Sequence, residues 1–192
     1  MNPIDPVACG CFLLLAFVLA GIAQTAWFAS PASALFMQPV DGGLTLRGRR
    51  LLGDNKTLRG FVVMVPAAAA AFAVLAMLAG DPETLGLWPL SVPAYLLAGA
   101  VAGFGFMAGE LPNSFLKRQL GIRPGEAART RAAAAFHFTV DRLDSGVGML
   151  LALALVVPVS WSTVATVLTV GPFIHWTFSL LMFRLGVKAR AA

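Results

Sequence analysis

Several side chains in this sequence are spaced as a chemical site would space them. Asp141 and Asp144 stand at i and i+3, so a helix would bring both to one face, and His137, four residues before Asp141, joins it. Glu110 precedes Asn113, Ser114, Lys117 and Arg118; Glu110, Ser114 and Lys117 would share a second helix face, with Pro112 a candidate break. Carboxylates beside apolar runs are costly and need partners. Arg142 and Lys117 could supply structural ion pairs. The sharper reading is a divalent-cation site, since Mg²⁺ takes one or two carboxylates plus phosphate and water. Asp141, Asp144 and Glu110 offer such oxygens, and a second cation is left open.

A second constellation lies upstream. Asp41-Gly42-Gly43 is followed by Arg47-Gly48-Arg49-Arg50 and then Gly53-Asp54-Asn55-Lys56-Thr57-Leu58-Arg59-Gly60. Glycines let backbone N–H groups approach an anion closely, and Lys and Arg donate to phosphate oxygens. A helix starting here would add the partial positive charge of its N-terminus. The segment reads as a polyphosphate cradle, although not a Walker A loop, whose first glycine and preceding strand are missing. The alternative is a basic anchor that touches lipid headgroups.

The elements that must position these groups are apolar. The chain has 192 residues, 58% hydrophobic and only 12% charged, with a net charge of +5, and its mean hydropathy is +0.81. This excludes a disordered chain, a coiled coil, an ordinary cytosolic enzyme and a nucleic-acid binder. The sequence predicts an all-α, polytopic membrane helix bundle, one domain over residues 1–192, with about five transmembrane helices. Their expected positions are Val7 to Phe28, Gly60 to Gly80, Leu90 to Gly109, a fourth from near Phe136 to Val159, and Trp161 to Phe183. The run Met1 to Pro6 carries no positive charge, and the apolar stretch after it is too long for a cleavable signal.

All fourteen Lys and Arg residues fall between spans one and two, between spans three and four, or after span five. The opposite side holds Asp5, Asp81 and Glu83. The positive-inside rule then puts the N-terminus outside and the C-terminus in the cytoplasm. Two long cytoplasmic loops result, at about 29–59 and 110–135, and they hold or border both constellations. Gly99-x-x-x-Gly103 and Gly105-x-x-x-Gly109 suit close helix packing, with a pocket wall or a homodimer face as alternatives. Cys9 and Cys11 read as small hydrophobes, His175 as a buried hydrogen-bonded residue, and Trp88, Trp161 and Trp176 as interface or packing aromatics.

Gly109-Glu110-Leu111-Pro112-Asn113-Ser114-Phe115-Leu116-Lys117-Arg118, followed by Asp141-Arg142-Leu143-Asp144-Ser145, resembles the signature of membrane CDP-lipid synthases, Gly-Asp-x-x-x-Ser-x-x-Lys-Arg and then Asp-Arg-x-Asp-Ser. These are the phosphatidate cytidylyltransferases and the smaller CDP-archaeol synthases. Lys56-Thr57-x-Arg59-Gly60 is similar to the family's upstream element, and the short length and Leu120-Gly121-Ile122-Arg123-Pro124-Gly125 resemble the CDP-archaeol synthase arm. Glu110 departs from the family Asp, and the His-Gly-Gly element of the longer enzymes is missing.

The resemblance implies a CTP-dependent cytidylyltransferase that makes a CDP-lipid from a lipid phosphate and releases pyrophosphate, with Mg²⁺ as cofactor. It implies Asp141, Asp144 and Glu110 for the cation, and Lys117 and Arg118 with them in the catalytic set. Gly53, Asp54, Asn55, Lys56, Thr57, Arg59, Asn113 and Ser114 would hold the nucleotide, and Arg142 the lipid phosphate. The expected setting is the cytoplasmic face of a bacterial or archaeal membrane, with CTP and membrane lipid as partners and no nucleic acid. The competing class is a non-enzymatic transporter or scaffold that retains a degenerate motif. A transporter would carry polar or broken-helix features near the midplane, and spans one and two have almost none.

Overall fold

Residues suited to start helices stand before each long helix. In a computed structural model, which describes residues 3–124, 126 and 130–186, the Asp5 carboxylate accepts from the Val7 and Ala8 N–H groups and opens α1 (Pro6–Ala29). Ser160 caps α5 (Trp161–Arg184) in the same way through the Thr163 N–H, and Thr130 caps α4 (Arg131–Leu153) through Ala133. Thr57 opens α2 (Leu58–Ala79) and Ser91 opens α3 (Val92–Gln119), both without a side-chain cap. A short 3-10 turn (Pro31–Phe36) and a two-stranded hairpin, β1 (Thr45–Leu46) and β2 (Arg49–Arg50), lie between α1 and α2.

α1, α2, α3 and α5 are long and apolar enough to cross a membrane. α4 is long but carries too much charge for that class, with Asp141, Arg142 and Asp144 in its sequence. α3 packs on α2 along one side and on α4 along the other, α4 meets α5, and α1 joins α5 to α2. The five helices thereby surround a common interior.

Glycine sets these contacts. A Cβ on Gly99 would lie 2.8 Å from Ala69 Cα, and one on Gly103 would lie 2.8 Å from Met64 O, so α2 and α3 touch backbone to backbone. Gly109 faces Gly148 as closely, with its Cβ 2.9 Å from Gly148 Cα, and Gly105 presses on Ala152 and Gly148. Both Gly-x-x-x-Gly pairs are therefore occupied within one chain, by α2 and by α4.

The span boundaries need one correction. The loop expected at 110–135 is largely helical, because α3 runs through Pro112 to Gln119 and α4 begins at Arg131 rather than near Phe136. Pro112 costs α3 one backbone hydrogen bond. The helix is nonetheless held to α4 on both sides of it, by Gly109 before and by Asn113 and Lys117 after. Gly125 of the resemblance and the cations Arg129, Lys188 and Arg190 lie outside the described residues.

The end of the bundle away from the basic segments is filled with aromatics. Phe12 meets Phe72 edge-on at 5.1 Å and lies 5.4 Å from Tyr95. The Tyr95 hydroxyl donates to Trp88 O at 2.6 Å, and Trp88 Nε1 donates to Pro158 O at 2.8 Å, so both buried polar tips are satisfied. Cys9 is buried in this cluster, while Cys11 is exposed; both thiols are free.

Candidate functional site

The segment before α2 folds around one buried acid. The Asp41 carboxylate accepts from the backbone N–H groups of Leu52 (2.9 Å), Gly43 (3.1 Å) and Gly53 (3.2 Å) and from Arg50 Nη2 at 2.7 Å. Burial alone would raise its pKa. The Arg50 hydrogen bond and the three N–H groups outweigh burial and hold the acid well below the usual carboxylate range. Residues 38–40 return alongside 56–58 through Val40 N to Lys56 O (2.8 Å) and Leu58 N to Gln38 O (3.0 Å). The result is a folded cap rather than an open loop.

Arg118 fastens this cap to α3. Its guanidinium is buried and donates to Leu52 O (3.2 Å) and to Ile122 O. Arg49 also reaches Gln119 O, and Gln119 Nε2 reaches Arg50 O at 3.3 Å. Arg118, expected in the catalytic set, also lines the cavity described below, with Nε and one Nη engaged by these carbonyls. Gly53 has φ 95°, and a Cβ there would lie 3.1 Å from Pro124 and 3.2 Å from Arg118 Nε. It is a packing point of the cap, and it does not line the cavity described below.

The cap delivers Lys56 to α3, where its ammonium pairs with Glu110. Burial would lower the Lys56 pKa, but the charge and hydrogen bond of Glu110, with Asp144 and Asp141 nearby, raise it and keep the ammonium charged. Ser145 Oγ of α4 donates to the other Glu110 oxygen at 2.9 Å. One turn along α3, Asn113 Nδ2 donates to Asp141 Oδ1 at 2.5 Å and to Asp144 Oδ2 at 3.0 Å. Lys117 Nζ bonds both Asp141 oxygens, Oδ2 at 2.6 Å. The glycine contact between α3 and α4 makes these short polar links possible.

The groups border a cavity of about 1010 Å³ whose walls come from all five helices. Its polar end is formed by Asp54, Asn55, Lys56, Thr57 and Arg59 from one side and by Glu110, Ser114, Lys117, Asp141, Arg142 and Asp144 from the other. It continues inward between Phe17, Met64, Phe106, Met149 and Leu168. Asn113 is absent from the wall and stands behind the carboxylates. Asp54 is exposed and pairs with Arg50 at 2.6 Å. His137 is buried on the wall with Nδ1 lacking a hydrogen-bond partner. His175 is half-buried there, with its ring 6.3 Å from Phe106.

The donor set suits a hard cation in kind. Asp141 and Asp144 converge through Asn113, and Mg²⁺ needs no more than one or two carboxylates when phosphate supplies the rest. Among the described residues no three His, Cys, Asp or Glu side chains form a ligand cluster by themselves. Sequence reasoning missed the organising role of Asp41. An acid before Gly-Gly, nine residues from an arginine, was the available signal. It also missed Phe28 and Phe138, which carry the guanidiniums of Arg59 and Arg142.

Comparison with known proteins points in one direction. The CarS-like family model, described as CDP-archaeol synthase, matches residues 13–191. A CDP-archaeol synthase of Halobacterium salinarum is 39% identical over 160 residues, covering 79% of this chain and 81% of that protein. That of Methanospirillum hungatei is 37% identical over 158 residues, covering 78% and 87%. A solved structure of an intramembrane enzyme for archaeal membrane lipid biosynthesis superposes with a TM-score of 0.58 at 29% identity, covering 87% of this chain and 90% of that one.

Proposed function

The chain belongs to the CarS-like CDP-archaeol synthase family, and we propose on that footing that it transfers the cytidylyl group of CTP to a lipid phosphate. The product is a CDP-lipid and the leaving group is pyrophosphate. Membership makes the chain an integral membrane nucleotidyltransferase of the CDP-lipid class. The observation that carries the finer reading is the cavity, charged at the cap and apolar in its depth. A polyphosphate and a lipid tail need opposite kinds of wall, and this one space offers both.

In this reading Lys56, Arg59 and Lys117 contact the triphosphate, and Asp54, Asn55, Thr57 and Ser114 shape its bed. Arg142 takes the lipid phosphate. Asp141 and Asp144, with Glu110 beside them, would hold Mg²⁺, and Asn113 orients the two aspartates. When bound, that cation supplies positive charge against the polyphosphate oxygens. Arg118 and Gly53 hold the cap in place.

The reaction is an in-line displacement. An oxygen of the lipid phosphate bonds to the α-phosphorus, and the bond from that phosphorus to the bridging oxygen of the β-phosphate breaks. The nucleophile is already an anion, so no strong base is required. The barrier comes from joining two anions and from charge building on the leaving pyrophosphate. Lys56 and Lys117, paired with Glu110 and Asp141 when no ligand is present, turn to phosphate oxygens and stabilise that charge. α4 serves as the fifth crossing, and the basic segments face the cytoplasm, where CTP is found.

The test uses purified protein in detergent with Mg²⁺, cytidine-labelled CTP and either phosphatidic acid or an isoprenoid glyceryl-ether phosphate. The expected result is label in the organic extract with at least one lipid. No extractable label with either lipid overturns the reading.

A further inference from the structure

Arg59 and Arg142 are cations of the polar cavity wall that form no ion pair among the described residues. Arg59 Nε, and Arg142 Nε and Nη2, are buried without a hydrogen-bond partner. Buried guanidinium donors left unmade are costly, and such a group in a folded protein calls for an explanation. The lysines of the same wall are engaged by Glu110 and Asp141. Arg142 has an aspartate on either side in the sequence, yet Asp141 and Asp144 turn to Asn113 and Lys117.

An aromatic ring holds each arginine instead. The Arg59 guanidinium carbon lies 4.4 Å from the centroid of Phe28, and that of Arg142 lies 4.5 Å from the centroid of Phe138. All four side chains line the cavity. A ring face attracts the cation without using its N–H donors. It fixes the plane of the fork without taking up a hydrogen-bond donor. A carboxylate partner would do the opposite, since it would fill the edge with the oxygens that a phosphate must supply.

We propose that Phe28 and Phe138 are positioning residues that hold the Arg59 and Arg142 guanidiniums open for phosphate oxygens, Phe28 for the nucleotide and Phe138 for the lipid phosphate. This rests on the transferase reading for which phosphate each arginine takes. The unpaired, ring-held guanidiniums stand apart from that reading.

The experiment compares full-length wild type with Phe28→Leu, Phe28→Tyr, Phe138→Leu and Phe138→Tyr. It reads kcat, the KM for CTP, the KM for lipid phosphate, and the stabilisation of the protein by inorganic pyrophosphate. Leu keeps the apolar volume and loses the ring; Tyr keeps both. Phe28→Leu should raise the CTP KM roughly three- to tenfold, leave the lipid KM within about twofold, and weaken the pyrophosphate stabilisation. Phe138→Leu should raise the lipid KM by a similar factor and spare CTP. Each Tyr variant should return towards wild type, which a merely structural role would not produce. Leu variants with unchanged KM values, or Tyr variants no better than Leu, overturn the proposal. Active wild type with those results leaves the transferase reading standing. Inactive wild type whose pyrophosphate stabilisation depends on the Phe28 ring overturns the transferase reading and supports the ring-held arginine. Wild type that neither reacts nor binds pyrophosphate overturns both.

Discussion

At the scale of single residues, the site is a set of opposite charges held close at the edge of an apolar bundle. Asp141 meets Lys117 and Asn113, and Asp144 meets Asn113 alone among those donors. If both aspartates hold the cation, Asp141→Asn and Asp144→Asn should each lower turnover at least about a hundredfold. Melting temperature should move little in Asp144→Asn and fall in Asp141→Asn, which leaves the Lys117 ammonium without its carboxylate. Full turnover in either variant would remove that aspartate from the site. Asp41 offers a prediction of another kind. Its folded pKa is depressed, so its contribution to stability is complete above its unfolded value near ~3.9 and is lost as pH falls through the lower folded value. The cap should stay closed through mild acid and open in strong acid. Asp41→Asn should loosen the cap at neutral pH and flatten that acid dependence, read as hydrogen exchange of the Leu52 and Gly53 amides.

At the scale of elements, the α3–α4 crossing decides whether the polar links can form. Gly105, Gly109 and Gly148 bring two backbones into contact, which lets the short side chains of Ser145 and Asn113 reach across. Gly148→Leu should force the helices apart, cost about 1–3 kcal/mol of stability and lower turnover more than the melting change explains. Gly146→Ala is the contrast, since its nearest neighbour is the flexible tip of Leu168 at 3.4 Å; its melting temperature should match wild type.

Much of this was legible in the sequence. Apolar runs located α1, α2, α3 and α5, and the i, i+3 spacing put Asp141 and Asp144 on one face. The length of α3 beyond Pro112 was not legible, because it depends on bonds to α4. Nor was the pairing of Lys56 with Glu110, 54 residues away, since spacing rules see only along one element. The contacts of Arg118 with Leu52 O and Ile122 O were not legible either, because residue type does not say which carbonyls a guanidinium will reach.

At the scale of the whole molecule, charge and hydrophobicity are divided between two ends. If the basic end faces the cytoplasm, single cysteines should report it. In a Cys9→Ala, Cys11→Ala background, Leu85→Cys should react with a membrane-impermeant maleimide added outside intact cells. Leu120→Cys should react only after permeabilisation; both positions are exposed. The reverse pattern would invert the assignment of sides.

The aromatic end then has an electrical consequence. A membrane voltage acts on any charge that can move through it, by about 2.3 kcal/mol per elementary charge for each 100 mV. If water fills the polar end of the cavity of about 1010 Å³, that part of the bundle adds little insulating thickness. The layer around Phe12, Phe72, Trp88 and Tyr95 would then bear the voltage, with the Trp88 and Tyr95 tips held by backbone carbonyls. With water at the polar end, that packed layer would act as the dielectric of a capacitor between the two sides.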